Sequence, residues 1–270
     1  MRKLRRPDYE RLLPLFDDLR YNLVIDSIVA GNTPAWVYAD DLVSPQTGWM
    51  WNRMGTMLLA GEPDNNPFNR ALSARLVEGV APDARRRQVP MLTLHYSPSA
   101  WEDEVDSLLP GVKPRRMWRR FYVFDQPSVD WRERLPSDSV VQPIDARLLQ
   151  RDHLENLDRV LGWIHSFWHG VEDFAETGFG FCLVRDGVIA SWCLTVYAAG
   201  HDVELGLATA PGYRNRGYAT LTAAASVEHG VARGFKLHWH CDEQNLPSIR
   251  VAEKVGFHNP TRYQVYTYAV

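Results

Sequence analysis

The sequence has few cysteines and no long uncharged apolar run. Its 270 residues contain three cysteines, none in a Cys-x-x-Cys pair, which argues against a disulfide framework and a zinc knuckle. In the apolar middle of the chain, the longest stretch without a charged residue or histidine is 187–200, shorter than the roughly 20 residues of a membrane span. The basic start, 1–6, leads into proline and acidic residues, unlike a secretory signal. We therefore expect a cytoplasmic protein with reduced thiols and no membrane partner.

The sequence also lacks a large excess of charge of either sign. Thirty Lys and Arg against 33 Asp and Glu give a net charge of −3, and 45% of residues are hydrophobic. This balance excludes a disordered polyelectrolyte and a basic nucleic-acid coat. We interpret the arginine clusters at 85–87, 115–116 and 119–120 as solvated surfaces and expect no nucleic-acid partner.

A change of composition divides the chain. Residues 125–143 contain three prolines among Ser and Asp residues, which is typical of a linker. We place the boundary near Pro136, giving an N-terminal α/β domain, 1–135, and a second domain, 136–270. Both halves end in the same order of strand, loop, helix, strand, helix, glycine, proline and strand, which suggests an internal repeat. The alternative is that two α/β units share a layout by chance.

Hydrophobic periodicity predicts helices and strands in both halves, so the fold class is α/β or α+β. In the first half it predicts helices within 8–30, 70–79 and 99–109 and strands at 35–39, 49–59, 91–96 and 115–124. In the second half it predicts helices at 154–168, 218–233 and 247–255 and strands at 140–144, 179–184, 188–198, 203–209, 236–241 and 261–268. The Asp-Gly pair at 186–187 indicates a hairpin, and hence an antiparallel strand pair.

One segment of the second half has the pattern of a phosphate-binding site. A predicted strand, 202–209, is followed by a short loop rich in Arg and Gly and by the first turn of an alanine-rich helix. The N–H groups at a helix N-terminus attract anions, and Gly217 lets backbone amides approach a phosphate without an intervening Cβ. Arg214 and Arg216 add positive charge.

The same residues resemble the GCN5-related N-acetyltransferase (GNAT) superfamily. Its pyrophosphate loop, Gln/Arg-x-x-Gly-x-Gly/Ala, stands here as Arg-x-x-Gly-x-Ala at 214–219, followed by Asn-x-x-Ser at 245–248 and Gly-Phe at 256–257. The resemblance covers about 137–270. It implies a mixed, mostly antiparallel sheet flanked by helices, preceded by a smaller α/β domain that we interpret as a degenerate GNAT-like repeat. The run 239–248 is also similar to the branch typified by zwittermicin-resistance acetyltransferases.

The resemblance implies acetyl-CoA as cosubstrate and no metal ion. It implies that the pantetheine arm forms hydrogen bonds with backbone groups of the strand at Leu207, Ala208 and Thr209. It implies that the loop and helix start hold the pyrophosphate through Arg214, Asn215, Arg216, Gly217, Tyr218, Ala219 and Thr220. Asn245 and Ser248 would then line the far side of the cleft, near the thioester.

Chemistry suggests which residue takes the proton of an acceptor amine. An amine is protonated near neutral pH, so a base must deprotonate it before it attacks the thioester. Glu204, which opens the strand beside the thioester, is our candidate base; the alternative is a rim carboxylate that pairs with an arginine. A backbone N–H of the same strand end would stabilise the oxyanion.

The general acid is a departure from the superfamily pattern. Many members carry a Tyr in the last helix to protonate the leaving thiolate, but the corresponding position here is Ala252. Ser248, His240, Tyr263 and water all stay open for this role.

Histidine spacing does not favour a metal site. His238 and His240 share one face of a strand, but Cys241 faces the other way and no carboxylate lies at metal spacing. His165 and His169 lack the Glu of a zinc-protease motif, and we interpret them as packing residues.

The main hypothesis is an acetyl-CoA-dependent N-acyltransferase that acts in a ternary complex on a primary amine of a small metabolite or antibiotic. The alternative is a catalytically silent module that binds acetyl-CoA or a metabolite. A third hypothesis, a peptidoglycan-type or aminoacyl-tRNA-dependent acyltransferase, needs a basic groove that the charge balance does not support. Because 63–67 is acidic and proline-bearing, the first half is predicted not to bind CoA but to shape the acceptor site. The acceptor, the acyl-chain preference and the oligomeric state, a homodimer included, are left open.

Overall fold

Two apolar runs become buried strands, one in each of two compact units. Thr47–Trp51 is buried throughout, and Val188–Ala199 is buried at every position except its first and last. The computed structural model describes residues 1–270 and divides around these strands into unit 1, residues 1–118 with 263–270, and unit 2, residues 119–262. The predicted fold class, a mixed and mostly antiparallel α/β fold flanked by helices, is confirmed. None of the helices has both the length and the apolar character needed to cross a bilayer.

Unit 1 has a long 3-10 helix after its first short strand, followed by further strands and helices. Its strands are β1 (Arg2–Lys3), β2 (Trp36–Ala39), β3 (Thr47–Trp51), β4 (Thr56–Gly61), β5 (Met91–Ser97) and the first part of β6 (Arg115–Phe124). Its helices are the 3-10 segment Arg6–Leu19, α1 (Val24–Ala30), α2 (Asn66–Arg75), the π-helical turn Leu76–Val80, α3 (Ala81–Arg86), the 3-10 segment Ser99–Asp103 and α4 (Val105–Leu108). The core joins α2 and α4 to the sheet through fully buried Trp49, Trp51 and Trp101.

The prediction of a single strand at 49–59 is wrong, because this segment forms a hairpin of β3 and β4. The Asn52 side chain accepts hydrogen bonds from the N–H groups of Met54 and Thr56, at 2.9 and 3.0 Å. Arg53 adopts a left-handed conformation with φ 58°. A side chain that accepts a hydrogen bond from the backbone N–H two residues on forms an Asx turn. Arg53, and not the nearby Gly55, takes the left-handed conformation, so the turn lacks the Asx-Gly pair on which hairpin prediction relies.

Unit 2 contains the remaining strands and a long alanine-rich helix. Its strands are the later part of β6, β7 (Ser139–Pro143), β8 (Gly180–Arg185), β9 (Val188–Ala199), β10 (Asp202–Thr209), β11 (Lys236–Asp242) and the first part of β12 (Phe257–Ala269). Its helices are α5 (Ala146–Leu149), α6 (Leu157–Phe167), α7 (Val171–Thr177), the 3-10 turn Pro211–Tyr213, α8 (Tyr218–Ala232) and α9 (Leu246–Val255). The small residues of α8 allow close packing on the sheet, where Ser226 Oγ donates to Cys193 O at 3.1 Å.

Both units follow one strand plan, and each borrows its sixth strand from the other half of the chain. In unit 1 the order is β1-β2-β3-β4-β5, with residues 266–269 of β12 antiparallel to β5. In unit 2 the order is β7-β8-β9-β10-β11, with residues 119–123 of β6 antiparallel to β11. The boundaries therefore differ from the predicted 1–135 and 136–270, because the strand after α4 joins the sheet of unit 2 and the last strand joins that of unit 1.

Candidate active site

Strands β10 and β11 separate in the middle of unit 2. They pair in parallel only from Asp202 to Glu204, opposite Lys236–His238. Beyond this point β10 pairs with β9 alone and β11 with β6 alone. The register of β10 against β9 also shifts between Glu204 and Leu205. The backbone groups that these strand ends turn toward each other are thus not used in a ladder, and a wedge opens between the strands.

A cleft of about 710 Å³ lies where the separated strand ends meet α8 and α9. Its lining from β10 and the following loop is Leu207, Ala208, Thr209, Tyr213, Arg214 and Asn215. Its lining from the helices is Arg159, Gly217, Tyr218, Ala219, Thr220, Asn245, Pro247, Ser248, Arg250, Val251 and Lys254. The cleft thus brings together every residue predicted to bind the cosubstrate except Arg216.

The loop before α8 has the conformation that an anion cradle requires. Asn215 and Gly217 both have positive φ, 61° and 82°, and Gly217 is the N-cap residue of α8 with no side-chain cap. The first N–H groups of the helix therefore face the cleft without a competing side-chain acceptor. Nothing lies within 4 Å of a Cβ added at Gly217, so the glycine serves the backbone conformation rather than packing.

The positive charge of the cleft is distributed differently from the prediction. Arg214 lines the cleft, with its Nε 3.4 Å from Thr209 O, whereas the Arg216 guanidinium lies over the Tyr213 ring at 5.7 Å. Sequence reasoning missed Arg159 of α6 and two cations of α9, Arg250 and Lys254. The spacing of the α9 pair, i and i+4, puts both on one helix face and was a signal that could have found them.

Asn245 and Ser248 build the start of α9. Asn245 caps the helix, since its side chain accepts a hydrogen bond from Ser248 N at 3.2 Å. Ser248 Oγ accepts a bond from the indole Nε1 of the buried Trp239 at 3.1 Å. Ser248 thus links the wall of the cleft to β11, where its hydroxyl also forms a hydrogen bond with the Cys241 side chain. Ala252 is fully buried, so no acid occupies the place where the superfamily pattern has Tyr.

Glu204 lies at the point of strand separation. Its side chain is 11% exposed, and Oε2 is 3.9 Å from His240 Nε2. Burial raises the pKa of the Glu204 carboxyl to about 8, and the nearby charge of Arg119 acts in the opposite direction. A carboxyl with a pKa near the working pH is suited to accept a proton from an amine.

Two histidines share the sheet face of Glu204. His238 Nε2 is 2.6 Å from Asp202 Oδ1, and the Phe121 ring stacks on both His238 and His240 at centroid distances of 5.4 and 4.7 Å. Burial lowers the pKa of His238, although the bond to Asp202 opposes this effect. No group of three or more His, Cys, Asp or Glu side chains is placed to hold a metal ion.

Tyr263, the third protein group considered as the acid, belongs to unit 1. Its ring contacts Tyr21 at 4.8 Å and His95 at 5.7 Å. Both of these contacts are with residues of unit 1.

The matching place in unit 1 is built differently. Strands β4 and β5 stay paired over five residues, from Thr56 to Ala60. The third pair is Leu58 with His95, whereas the third pair in unit 2 is Glu204 with His238. The start of α2 is capped by Asn65, whose side chain accepts from Phe68 N. Unit 1 thus keeps the strand plan but has neither the separated strands nor the carboxylate.

Comparisons with known proteins agree with this geometry. The model of the GNAT acetyltransferase family matches residues 13–266. The chain belongs to the GNAT acetyltransferase family. The match includes the first half of this N-acetyltransferase, whereas the sequence resemblance had covered only 137–270.

Relatives of this acetyltransferase match it over nearly its whole length. The N-acetyltransferase YdfB of Bacillus subtilis is 26% identical over 266 residues, which is 98% of each chain. The fold is similar to that of a GCN5-related N-acetyltransferase-like protein from Streptococcus suis, with a TM-score of 0.71, 23% identity and coverage of 97% and 98%. It is also similar to a tandem GNAT protein from the clavulanic acid biosynthesis pathway, with a TM-score of 0.59, 13% identity and coverage of 98% and 97%.

Proposed function

We propose that this GNAT enzyme transfers the acetyl group of acetyl-CoA to a primary amine of a small metabolite or antibiotic, by direct attack in a ternary complex. The observation that carries the proposal is the single cleft that joins an uncapped helix N-terminus to a strand separation beginning at Glu204. The first feature suits a pyrophosphate. The second leaves backbone groups free for an extended arm and its thioester.

The residues present fit such a cosubstrate. The amides from Gly217 to Thr220, with Arg214, would hold the pyrophosphate, and the cations of α9 would neutralise further phosphate charge. The free strand end Leu207–Thr209 would pair with the pantetheine amides. Asn245 and Ser248 would form the opposite wall.

Glu204 and the groups near it would carry out the transfer. Glu204, as carboxylate, takes a proton from the acceptor ammonium, and the amine nitrogen then forms a bond to the thioester carbon. A backbone N–H at the strand end stabilises the oxyanion. The C–S bond breaks as the tetrahedral species collapses. The thiolate takes a proton from Ser248, His240 or water, and that donor regains a proton from the former amine nitrogen, which loses its second proton as it becomes the amide. Glu204 finally releases its proton to solvent.

We propose a catalytically silent role for unit 1. Its continuous β4/β5 pairing and the Leu58 position support the prediction that it does not bind acetyl-CoA. A cytoplasmic location is supported by the three cysteines, all free and buried, which suits a reducing compartment.

Calorimetric titration with acetyl-CoA tests the binding site. We expect Arg214→Glu to weaken binding about 10- to 100-fold, because it replaces a charge-assisted contact by repulsion. Arg216→Glu should weaken it less, because Arg216 does not line the cleft. The matched control is Arg233→Glu, a charge reversal at the exposed far end of α8, which should leave affinity unchanged. Absence of binding to folded wild-type protein would contradict the proposal.

A second candidate function is a silent module that binds acetyl-CoA. The buried Ala252, which occupies the place of the superfamily's Tyr, favours it. Release of free thiol from acetyl-CoA, measured with a panel of primary amines, separates the two candidates. Amine-dependent release supports the enzyme, and tight binding without release under any amine supports the module.

A further inference from the structure

Helix α6 places a tryptophan directly on a glycine of β10. A Cβ added at Gly206 would lie 3.1 Å from Trp163 Cζ3 and 2.6 Å from Val196 Cγ1. The indole therefore occupies the space that a side chain at position 206 would take. No part of the phosphate-binding chemistry requires this contact.

The contact adjoins the cleft without being part of its lining. Along β10 the lining stops at Leu207, and Gly206 is the next residue toward Glu204. Along α6 the lining contains Arg159, and Trp163 follows one helical turn later on the same face. Because the pantetheine arm would pair with residues 207–209 and the base is Glu204, the thioester must fall between them. Gly206 and Trp163 are the residues that meet there.

The indole is held in place by its neighbours. Trp163 makes edge contacts with Trp192, at a centroid distance of 6.0 Å and 88°, and with Phe167, at 5.9 Å and 64°. Trp192 is itself buried in the sheet and lies under the Arg159 guanidinium at 5.7 Å. An aromatic side chain with contacts on two sides cannot swing aside without losing both.

We propose that Trp163, packed on Gly206, ends the acyl subsite and restricts the enzyme to short acyl groups such as acetyl. This inference rests on the proposed function, since it requires that the cleft binds an acyl-CoA. A rigid wall disfavours longer acyl chains, because their added methylene groups must either displace the indole or lie outside the subsite. One methylene group in a fitted pocket changes selectivity by about 10-fold or more.

Affinities for CoA and for acetyl-, propionyl- and butyryl-CoA, measured by calorimetry, test the proposal without knowledge of the acceptor. For the wild-type protein we expect butyryl-CoA to bind at least about 10-fold more weakly than acetyl-CoA. Trp163→Ala should reduce this ratio to about one or reverse it, while affinity for CoA itself stays the same. Trp163→Leu should give an intermediate ratio and serves as the second variant if the alanine variant unfolds.

The matched control is His165→Ala, which removes an exposed ring two residues further along the same helix, on a different helix face from Trp163. It should leave the acetyl-to-butyryl ratio as in the wild type.

The outcomes separate this inference from the proposed function. If acetyl-CoA binds but the wild type does not discriminate by chain length, or Trp163→Ala keeps the wild-type ratio, the role of Trp163 is refuted and the proposed function survives. If neither CoA nor any acyl-CoA binds to folded protein, both are refuted.

Discussion

Glu204→Gln is expected to lower kcat/KM by about 10²- to 10⁴-fold with any accepted amine, the range typical of loss of a general base. Gln keeps the size of the side chain and its capacity for hydrogen bonds, but it cannot accept the ammonium proton. Affinity for acetyl-CoA should stay within a few-fold, because Glu204 does not line the cleft. Steady-state kinetics together with calorimetry measure the two effects separately.

The dependence of kcat/KM on pH gives a second test of Glu204 as the base. A base works only when deprotonated, and burial raises the pKa of Glu204 to about 8. The wild-type kcat/KM should therefore rise with pH and level off above about 8. The residual activity of Glu204→Gln should lack this rise.

The free energy of unfolding of the wild type should fall over the pH range in which its activity rises. The carboxyl has an ordinary pKa of 4.5 in the unfolded chain and about 8 in the folded one, so between these values only the folded state keeps the proton. Wild-type stability thus falls as pH rises from 4.5 to about 8. Glu204→Gln should have a higher free energy of unfolding than wild type at pH 8.5 and a similar one near pH 4.5, measured by urea denaturation.

The matched control for Glu204→Gln is Asp202→Asn, two residues away on the same strand face. It removes the negative charge beside His238 but leaves the base, so the rate should change less than about 10-fold and the pH midpoint should stay. If Glu204→Gln kept wild-type turnover across the pH range, Glu204 would be a rim carboxylate and not the base.

Deletion of residues 263–270 is expected to unfold unit 1 and to spare the sheet that carries the cleft. These residues contribute Val265 and Tyr268, both almost fully buried, and their ladder covers the edge of β5. Loss of a buried aromatic residue alone costs about 3 to 5 kcal/mol. Loss of the whole strand approaches the total stability of a domain, about 5 to 15 kcal/mol.

Hydrogen exchange resolved by peptide measures this effect. Amides of β5 should lose protection after the deletion, whereas those of β10 and β11 should keep theirs. The control Tyr268→Phe removes only the hydroxyl that donates to Val105 O at 3.1 Å, and should cost about 1 kcal/mol. Loss of protection in β11 with β5 intact would contradict the strand assignment and favour a division at residue 136.

Local sequence patterns predicted most elements of unit 2. The Asp-Gly hairpin joins β8 to β9, and the strand predicted at 115–124 is β6 at the same bounds. Prediction succeeded there because turn residues such as Asp186 and Gly187 mark the ends of the elements. It failed at 49–59, where the apolar and aromatic residues on both sides outweighed the weaker turn signal of Asn52, Arg53 and Gly55.

The sequence by itself indicated the family, the loop proposed to bind the pyrophosphate and the candidate base, because a helix N-terminus, a glycine with positive φ and a carboxylate at a strand position depend on short spacings. Only the tertiary structure decided which cations line the cleft, which strands β6 and the end of β12 pair with, and that Trp163 packs on Gly206. These features depend on residues far apart in the chain, whose encounter is set by strand pairing and packing. No local pattern encodes the exchange of β6 and β12, since either strand satisfies the same antiparallel edge.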